Sequence, residues 1–343
     1  MEIIEAMNRA NEISCLGLGR TFPNPIVGAV IISATGEFIS EGFHARNKED
    51  EIADHAEIVA IKSAGNQARG ATLVLTLEPC NHHGKTPPCT DAIISAGIRK
   101  VIFAIKDPNK LAQGGKSKLI SNGILVEEGL NAAEISRRNR AWLFKVSTGR
   151  PLITAKIAAT VDGYIAAQDG SSKWITSEFS RRDVHLLRHQ VDAVITGTGT
   201  VIADDPLMTI RDISVITHQP ERIVIGQRKL DSDAKIFNND AKTTRIESRN
   251  LDELISYCLK REFNHVLLEA GPKLTTAFLA AGLVDELYIY QAPTIFGSGL
   301  KMIEDIGVRN LQERRDFQLR DSSMIGSGDG ANNRLVLTKA GIH

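Results

Sequence analysis

Hydrophobic positions in the first half of the chain alternate between helical spacing and short continuous runs. Residues 2–18 carry apolar side chains at every third or fourth position, which predicts an amphipathic helix. The runs VGAVIIS (27–33), ATLVLTL (71–77) and KVIFAI (100–105) have the length and the β-branched content of buried strands. Another helix is predicted over 55–64. This alternation of strands and helices predicts an α/β domain with a largely parallel sheet covered by helices.

The second half of the chain repeats this alternation after a short linker. The glycine and proline of STGRP (147–151) favour a break, so we predict one domain over 1–147 and a second over 148–343. Residues 226–250 are polar and show little periodicity. The apolar runs of the second domain predict strands over 152–158, 192–197, 222–226, 265–271, 285–293 and 334–339, with helices around 177–190 and 273–281.

Composition and charge narrow the class of protein. The 343 residues are enough for two cores, and lysine plus arginine equal aspartate plus glutamate at 41 each. A balanced charge provides no general basic field for nucleic acid or for a membrane surface, so we expect neither partner. No run of about 18 apolar residues indicates a membrane span. The amphipathic start lacks the pattern of a signal peptide, and we expect a cytoplasmic protein.

Two of the four cysteines belong to a pattern that predicts a metal site. His55 opens the helix over 55–64, Cys80 follows the predicted strand over 71–77, and Cys89 precedes another apolar helical stretch. One imidazole and two thiolates suit Zn²⁺ and leave a fourth position for water. Glu57 lies on the same helical turn as His55, where it can accept the proton of that water. The remaining cysteines, Cys15 and Cys258, are expected to be buried apolar residues.

This arrangement corresponds to the signature of hydrolytic deaminases, H-x-E followed by P-C-x-x-C. Eight residues separate Cys80 from Cys89 here, instead of two. The alternative is a closed structural zinc site, which needs a fourth protein ligand, and His82 or His83 could supply it.

The specific loop sequences resemble those of a known family. TFPNPIVGAVI (21–31), His-Ala-Glu at 55–57 and EPCNHHGKTPPC (78–89) are similar to the deaminase half of the bifunctional riboflavin-biosynthesis deaminase–reductases. The resemblance implies a cytidine-deaminase-like three-layer domain and contacts from Asn24 and His82 to the substrate. For Asn24 the alternative is simple turn chemistry between two prolines.

The second half lacks a complete dinucleotide-binding fingerprint. Gly197-Thr198-Gly199 follows a predicted strand, but Ile202 stands where a third glycine belongs. A glycine turn also follows the strand over 265–271, and its free N–H groups predict an anion site.

The segments 155–163, 171–176, 181–211 and 268–286 resemble the reductase half of the same family, whose fold is like that of dihydrofolate reductase. The resemblance implies NADPH contacts from Ala158, Trp174, Thr200, Asp204, Gly271, Pro272, Lys273, Leu274, Thr275, Thr276 and Ala277. It implies substrate contacts from Ser172, Arg188, Met208, Arg211 and Glu269.

Several of these residues could instead have a structural role without contact to cofactor or substrate. Arg188 and Arg211 suit a substrate phosphate, because guanidinium groups bind phosphate oxygens bidentately, but they could be surface charges. Trp174 could be a core aromatic residue. Lys156 is predicted to be a catalytic proton donor or a substrate anchor, and otherwise a surface lysine.

The sequence as a whole predicts a bifunctional enzyme that uses one Zn²⁺ and NADPH. The resemblance implies deamination of a phosphoribosyl diaminopyrimidine, followed by reduction of its ribosyl group to a ribityl group, in a homodimer or homotetramer. The partners are therefore small phosphoribosyl pyrimidines. Two other hypotheses are a polynucleotide deaminase fused to a reductase-like module, and a catalytically silent scaffold.

Overall fold

A computed structural model describes residues 1–44, 54–82, 87–109, 114–173 and 175–340. The chain divides into two compact units, Met1–Gly149 and Arg150–His343. Within the described ranges, no helix is long and apolar enough to span a membrane.

The first unit contains a five-stranded sheet in the order β2-β1-β3-β4-β5. Strand β1 pairs antiparallel with β2 and β3, whereas β3, β4 and β5 run parallel. The strands are β1 Gly28–Ile32, β2 Phe38–Phe43, β3 Thr72–Leu77, β4 Lys100–Ile105 and β5 Leu125–Glu128. The helices are α1 Ile3–Ser14, α2 Ala56–Ala64, α3 Cys89–Ser95, α4 Gly115–Ser121, α5 Ala132–Arg138 and α6 Arg140–Thr148.

Helices cover both faces of this sheet. Successive side chains of a strand point to opposite faces, so each strand contributes to a hydrophobic cluster on either side. On one face, Leu75 and Phe103 pack with Ala60 of α2. On the other face, Val74 and Ile102 belong to a second cluster with residues of α1, α5 and α6. The unit therefore has three layers, and the predicted cytidine-deaminase-like fold is confirmed.

Helix α1 approaches the sheet so closely that only glycine fits at one position. A Cβ atom at Gly28 would lie 1.9 Å from the carbonyl oxygen of Ala10. This contact fixes the distance between α1 and β1.

The second unit contains an eight-stranded sheet in the order β10-β9-β8-β11-β6-β12-β15-β14. Its strands from β10 to β12 in this order are parallel, and β15 runs antiparallel to both of its neighbours. The strands are β6 Leu152–Thr160, β8 Ala193–Gly197, β9 Glu221–Ile225, β10 Thr243–Ile246, β11 His265–Leu268, β12 Glu286–Ala292, β14 Phe317–Ile325 and β15 Asn332–Lys339. The helices are α7 Glu178–Arg188, α8 Thr198–Asp204, α9 Leu251–Lys260 and α10 Pro272–Ala280. A separate antiparallel pair joins β7 Tyr164–Ala166 to β13 Leu300–Lys301.

The predicted reductase fold is confirmed, although two strands of this sheet were not predicted. The parallel order places the carboxyl ends of β9, β8, β11 and β6 on the same side of the sheet. In open α/β sheets, ligands bind just beyond these carboxyl ends. Strand β10 lies inside the stretch 226–250 and is only half-buried, and β14 is a mostly exposed edge strand, so neither carries a clear apolar run.

Candidate active sites

The predicted metal ligands lie together in the first unit. His55 precedes α2, Cys80 follows β3, and Cys89 is the first residue of α3. The His55 Nδ1 atom lies 3.1 Å from Cys89 Sγ and 3.6 Å from Cys80 Sγ. Ligand atoms of a tetrahedral zinc ion with ordinary Zn–N and Zn–S bonds lie about 3.5–4 Å apart, so the three side chains fit this ion with little movement.

The protonation of the two cysteine side chains also favours the binding of a cation. Hydrogen bonds from the Cys89 thiol and from the His55 ring lower the pKa of Cys80 to about 4, against the opposing effect of burial. A thiolate at Cys80 in turn raises the pKa of the Cys89 thiol. A divalent cation between the two sulfurs would remove this repulsion and favour both thiolates.

The cluster has three members among the described residues. The two cysteines are buried and His55 is half-buried. His82 is not part of this cluster, and His83 lies outside the described residues. The described part of the chain thus holds the open ligand set of a catalytic zinc site, not a closed set of four.

Glu57 lies beside this cluster without belonging to it. It occupies the first turn of α2 and is only 4% exposed. Burial raises the pKa of its carboxyl group, against the opposing effect of the nearby His55 charge. A buried carboxyl group next to a metal centre is suited to take up and release a proton.

A histidine that the sequence analysis missed orients the predicted substrate residue Asn24. His44 follows β2 and is buried. Its Nδ1 lies 3.1 Å from the carbonyl oxygen of Asp54 and therefore donates, which leaves Nε2 of the neutral ring to accept from Asn24 Nδ2 at 3.1 Å. The His44 ring also packs edge-on against His55, with 5.5 Å between centroids. In the sequence, His44 carries no signal beyond its position after a strand.

A second missed residue, Glu78, holds the loop that carries Cys80. Its carboxylate accepts the backbone N–H of Lys116 at 3.0 Å and that of Asp107 at 3.4 Å. It therefore joins the loop after β3 to the end of β4 and to the start of α4. The other predicted substrate residue of this unit, His82, follows Cys80 closely in the same loop and is half-buried. Lys110 lies outside the described residues.

The second unit contains a cavity of about 1360 Å³ at the carboxyl ends of its parallel strands. It collects most of the residues predicted for cofactor and substrate. Those that line it are Lys156, Ala158, Ser172, Arg188, Thr200, Asp204, Met208, Arg211, Glu269, Gly271, Pro272, Lys273, Leu274, Thr275 and Ala277.

One predicted cofactor residue is absent from the described cavity lining, and another lies outside the described residues. Thr276 is buried in α10, where its hydroxyl accepts the backbone N–H of Glu304 at 2.8 Å, and it is absent from the described lining. Helical periodicity turns it away from the wall that Thr275 and Ala277 share. Trp174 lies outside the described residues, so its predicted cofactor contact stays a prediction.

The predicted phosphate turn is anchored to α8. The hydroxyl of Thr200 accepts the N–H of Gly271 at 3.1 Å. Pro272 then begins α10, where its missing N–H costs nothing. Lys273 and Leu274 of this first turn line the cavity, and N–H groups at a helix start have no helical acceptor, which suits an anionic group such as a cofactor phosphate.

Arg188 and Glu269 form a buried ion pair in the cavity wall. Arg188 Nε and Nη2 donate to the two carboxylate oxygens at 2.5 and 3.0 Å. Glu269 therefore occupies this fork in the described protein, and the predicted contact of Arg188 with the substrate stays a prediction. Arg211, whose side chain is 48% exposed, also lines the cavity.

Lys156 lies on β6 at the same cavity. Burial lowers the pKa of its ammonium group, and the positive charge of Arg188 adds to this effect, while Glu269 opposes it. An amine with a lowered pKa exchanges protons more readily near neutral pH than an exposed lysine does.

The fold and these two sites define a protein with a zinc-deaminase unit and a pyrimidine-reductase unit. Residues 2–105 match the family described as the cytidine and deoxycytidylate deaminase zinc-binding region, and residues 151–329 match the RibD C-terminal domain.

Two curated relatives cover nearly the whole chain. The riboflavin biosynthesis protein RibD of Mycobacterium tuberculosis (strain ATCC 25618 / H37Rv) is 41% identical over 327 residues, which cover 94% of this chain and 95% of the relative. RibD of Escherichia coli (strain K12) is 38% identical over 356 residues, which cover 93% and 96%. The chain belongs to the RibD family, and the predicted resemblance is confirmed.

Solved structures agree with this assignment. A diaminohydroxyphosphoribosylaminopyrimidine deaminase/5-amino-6-(5-phosphoribosylamino)uracil reductase from Thermotoga maritima has a TM-score of 0.86 and 32% identity, with coverage of 98% of this chain and 99% of that one. RibD from Acinetobacter baumannii (form 1) has the same TM-score and coverage at 36% identity.

Proposed function

We propose that this chain catalyses two consecutive steps of riboflavin biosynthesis. The first unit deaminates 2,5-diamino-6-(5-phosphoribosylamino)pyrimidin-4(3H)-one, and the second reduces the ribosyl group of 5-amino-6-(5-phosphoribosylamino)uracil to ribityl. The observation that carries the proposal is the three-membered His55, Cys80 and Cys89 cluster with buried Glu57 beside it. Family membership over nearly the whole chain supports both activities.

In the deaminase unit, His55, Cys80 and Cys89 would hold zinc, which would lower the pKa of a bound water for attack on the pyrimidine carbon that bears the amine. Glu57 takes up the proton of that water and returns it to the leaving amine as ammonia departs. Its raised pKa makes both steps accessible, because a carboxyl group with a pKa closer to neutrality exchanges its proton more readily. Asn24, fixed by His44, and His82 hold the substrate.

In the reductase unit, bound NADPH would supply the hydride that reduces the opened form of the ribose. Ala158, Thr200, Asp204 and the turn that begins at Gly271 hold the cofactor. Ser172, Met208, Arg211 and the Arg188–Glu269 pair face the substrate. Arg211 binds its phosphate, and Lys156 donates the proton that accompanies hydride transfer.

The assembly and the location of the enzyme belong to the same proposal. We propose a homodimer or homotetramer that works in the cytoplasm on small phosphoribosyl pyrimidines. Light scattering coupled to gel filtration would measure the mass of the particle directly, and a monomer would contradict this assignment.

The test separates the two activities with one variant. In Glu57→Gln the zinc ligands are unchanged, so zinc content is retained. Loss of the proton shuttle should reduce deamination by a factor of about 10²–10⁴. Reduction of the supplied deaminated intermediate with NADPH should continue at the wild-type rate.

The exposed Glu37 provides the matched control, and Glu37→Gln should leave both rates unchanged. Products are followed by mass spectrometry with the diaminopyrimidine and NADPH supplied separately and together. Normal deamination by Glu57→Gln would show that the shuttle is assigned wrongly. A wild-type protein that binds zinc but converts neither substrate would support the scaffold hypothesis.

A further inference from the structure

The segment 208–212 carries Met208 and Arg211 to the cavity on an unusual backbone. Both Met208 and Asp212 have positive φ angles, 52° and 58°, although neither is glycine. Residues with a Cβ rarely adopt this left-handed conformation, and it persists where surrounding contacts hold it. The contacts that hold this segment therefore determine where Arg211 is presented.

Gln219 binds both backbone groups of the residue in the middle of the segment. Its Oε1 accepts the N–H of Ile210 at 2.7 Å, and its Nε2 donates to the carbonyl oxygen of Ile210 at 3.0 Å. Ile210 is buried, so these backbone groups have little access to water that could replace the glutamine. A side-chain amide is suited to this contact because it offers one acceptor and one donor side by side.

Two side chains of α7 hold the residues on either side of Ile210. Arg188 Nη1 donates to the carbonyl oxygen of Thr209 at 2.9 Å. The N–H of Arg211 donates to His185 Nδ1 at 3.4 Å. Burial and the nearby charges of Arg188 and Arg211 lower the pKa of His185 to about 4. The ring is therefore neutral at physiological pH, as an acceptor nitrogen requires.

We propose that Gln219 and His185 are positioning residues that hold segment 208–212 so that Arg211 meets the substrate phosphate. This inference rests on the proposed reductase function. The Arg211 side chain is long and half-exposed, so its position at the cavity rim depends on the backbone beneath it. A released segment would have to be ordered again each time the substrate binds, which raises KM and leaves the hydride step largely unchanged.

The experiment compares Gln219→Glu and Gln219→Met in the full chain. Glutamate keeps the acceptor and loses the donor to the Ile210 carbonyl, whereas methionine keeps the length and loses both. For Gln219→Met, KM for 5-amino-6-(5-phosphoribosylamino)uracil should rise about tenfold, which corresponds to about 1.4 kcal/mol. KM for NADPH, kcat and the deaminase rate should stay within about twofold. The exposed Gln318 on β14 gives the control Gln318→Met, which should behave as wild type.

A purely structural role for Gln219 would change the KM of both ligands or lower kcat, and it would not single out the phosphorylated substrate. Ribose 5-phosphate as a competitive inhibitor isolates the phosphate contact, and it should inhibit Gln219→Met about tenfold less well than wild type. If Gln219→Met does not fold, His185→Gln is measured in the same way. An unchanged KM and an unchanged inhibition constant in an active variant overturn the inference alone. A wild-type chain without reductase activity overturns the proposed function together with it.

Discussion

Replacement of Glu269 by glutamine tests the buried ion pair in the reductase unit. The substitution keeps the shape of the side chain and removes its charge. Arg188 then remains in the cavity wall with a side chain only 10% exposed, and with the positive Lys156 nearby. The loss of stability comes from Arg188, because a buried charge without its counterion is costly.

The burial of the pair determines how much folding free energy is lost. Removal of one partner from a buried ion pair typically costs about 3–5 kcal/mol, and the lower value applies here because glutamine still offers Arg188 one acceptor. A loss of about 3 kcal/mol lowers the melting temperature of a unit of this size by about 6–12 °C. The double variant Arg188→Gln/Glu269→Gln should recover part of this loss, since it leaves no unpaired charge.

The pH dependence has a defined sign. Burial acts to raise the pKa of Glu269, but the charge and hydrogen bonds of Arg188, with Lys156, hold that pKa below its usual range. The stabilisation is therefore complete above the unfolded pKa of about 4.3 and is lost as the pH falls through the lower folded value. In Glu269→Gln this part of the acid dependence should disappear.

Differential scanning calorimetry of the intact chain provides the measurement. Added NADPH identifies the reductase transition, because a ligand raises the melting temperature of the unit that binds it. The control is Glu247→Gln, which removes the exposed member of an ion pair with the half-buried Arg245 and should shift the transition by less than about 2 °C. A shift that small in Glu269→Gln would refute the reasoning that this pair is desolvated.

Two further substitutions test the deaminase unit. Gly28→Ala should lower the stability of this unit by about 1–3 kcal/mol or more in calorimetry, because its Cβ would meet the Ala10 carbonyl oxygen at 1.9 Å. The control is Gly330→Ala, whose nearest new contact is 3.5 Å. Glu78→Gln should leave one buried backbone N–H without an acceptor and cost about 1–3 kcal/mol. It should also release zinc faster to a colorimetric chelator than the exposed control Glu127→Gln, and equal release rates would argue against its role in holding the Cys80 loop.

The chemistry of the metal site could be predicted from the sequence because each ligand directly adjoins a regular element. His55 and Cys89 stand at helix starts, and Cys80 follows a buried strand that periodicity alone identifies. Parallel neighbours end at the same edge of a sheet, so motifs placed after strands converge there. For the same reason, the turn at Gly271 and the segment after β8 meet at one cavity.

Residues that act through a distant backbone group could not be predicted in this way. His44 and Glu78 are separated along the chain from the backbone groups that they hold, and no spacing rule connects them. Strands β10 and β14 were missed for a different reason. One is short and only half-buried and the other is an exposed edge strand, so neither produces the apolar run from which a strand is recognised.

The Arg188 side chain shows why residue type alone does not determine a role. Two arginines in the same stretch of sequence suggested two phosphate ligands, since a guanidinium group suits phosphate wherever it is free. The fold gives Arg188 a carboxylate from Glu269 and a carbonyl from Thr209, which take up three of its five N–H donors inside the wall. Arg211 stands beside an exposed aspartate at the rim instead. The buried arginine therefore shapes the cavity wall, whereas phosphate binding by the exposed Arg211 stays a prediction.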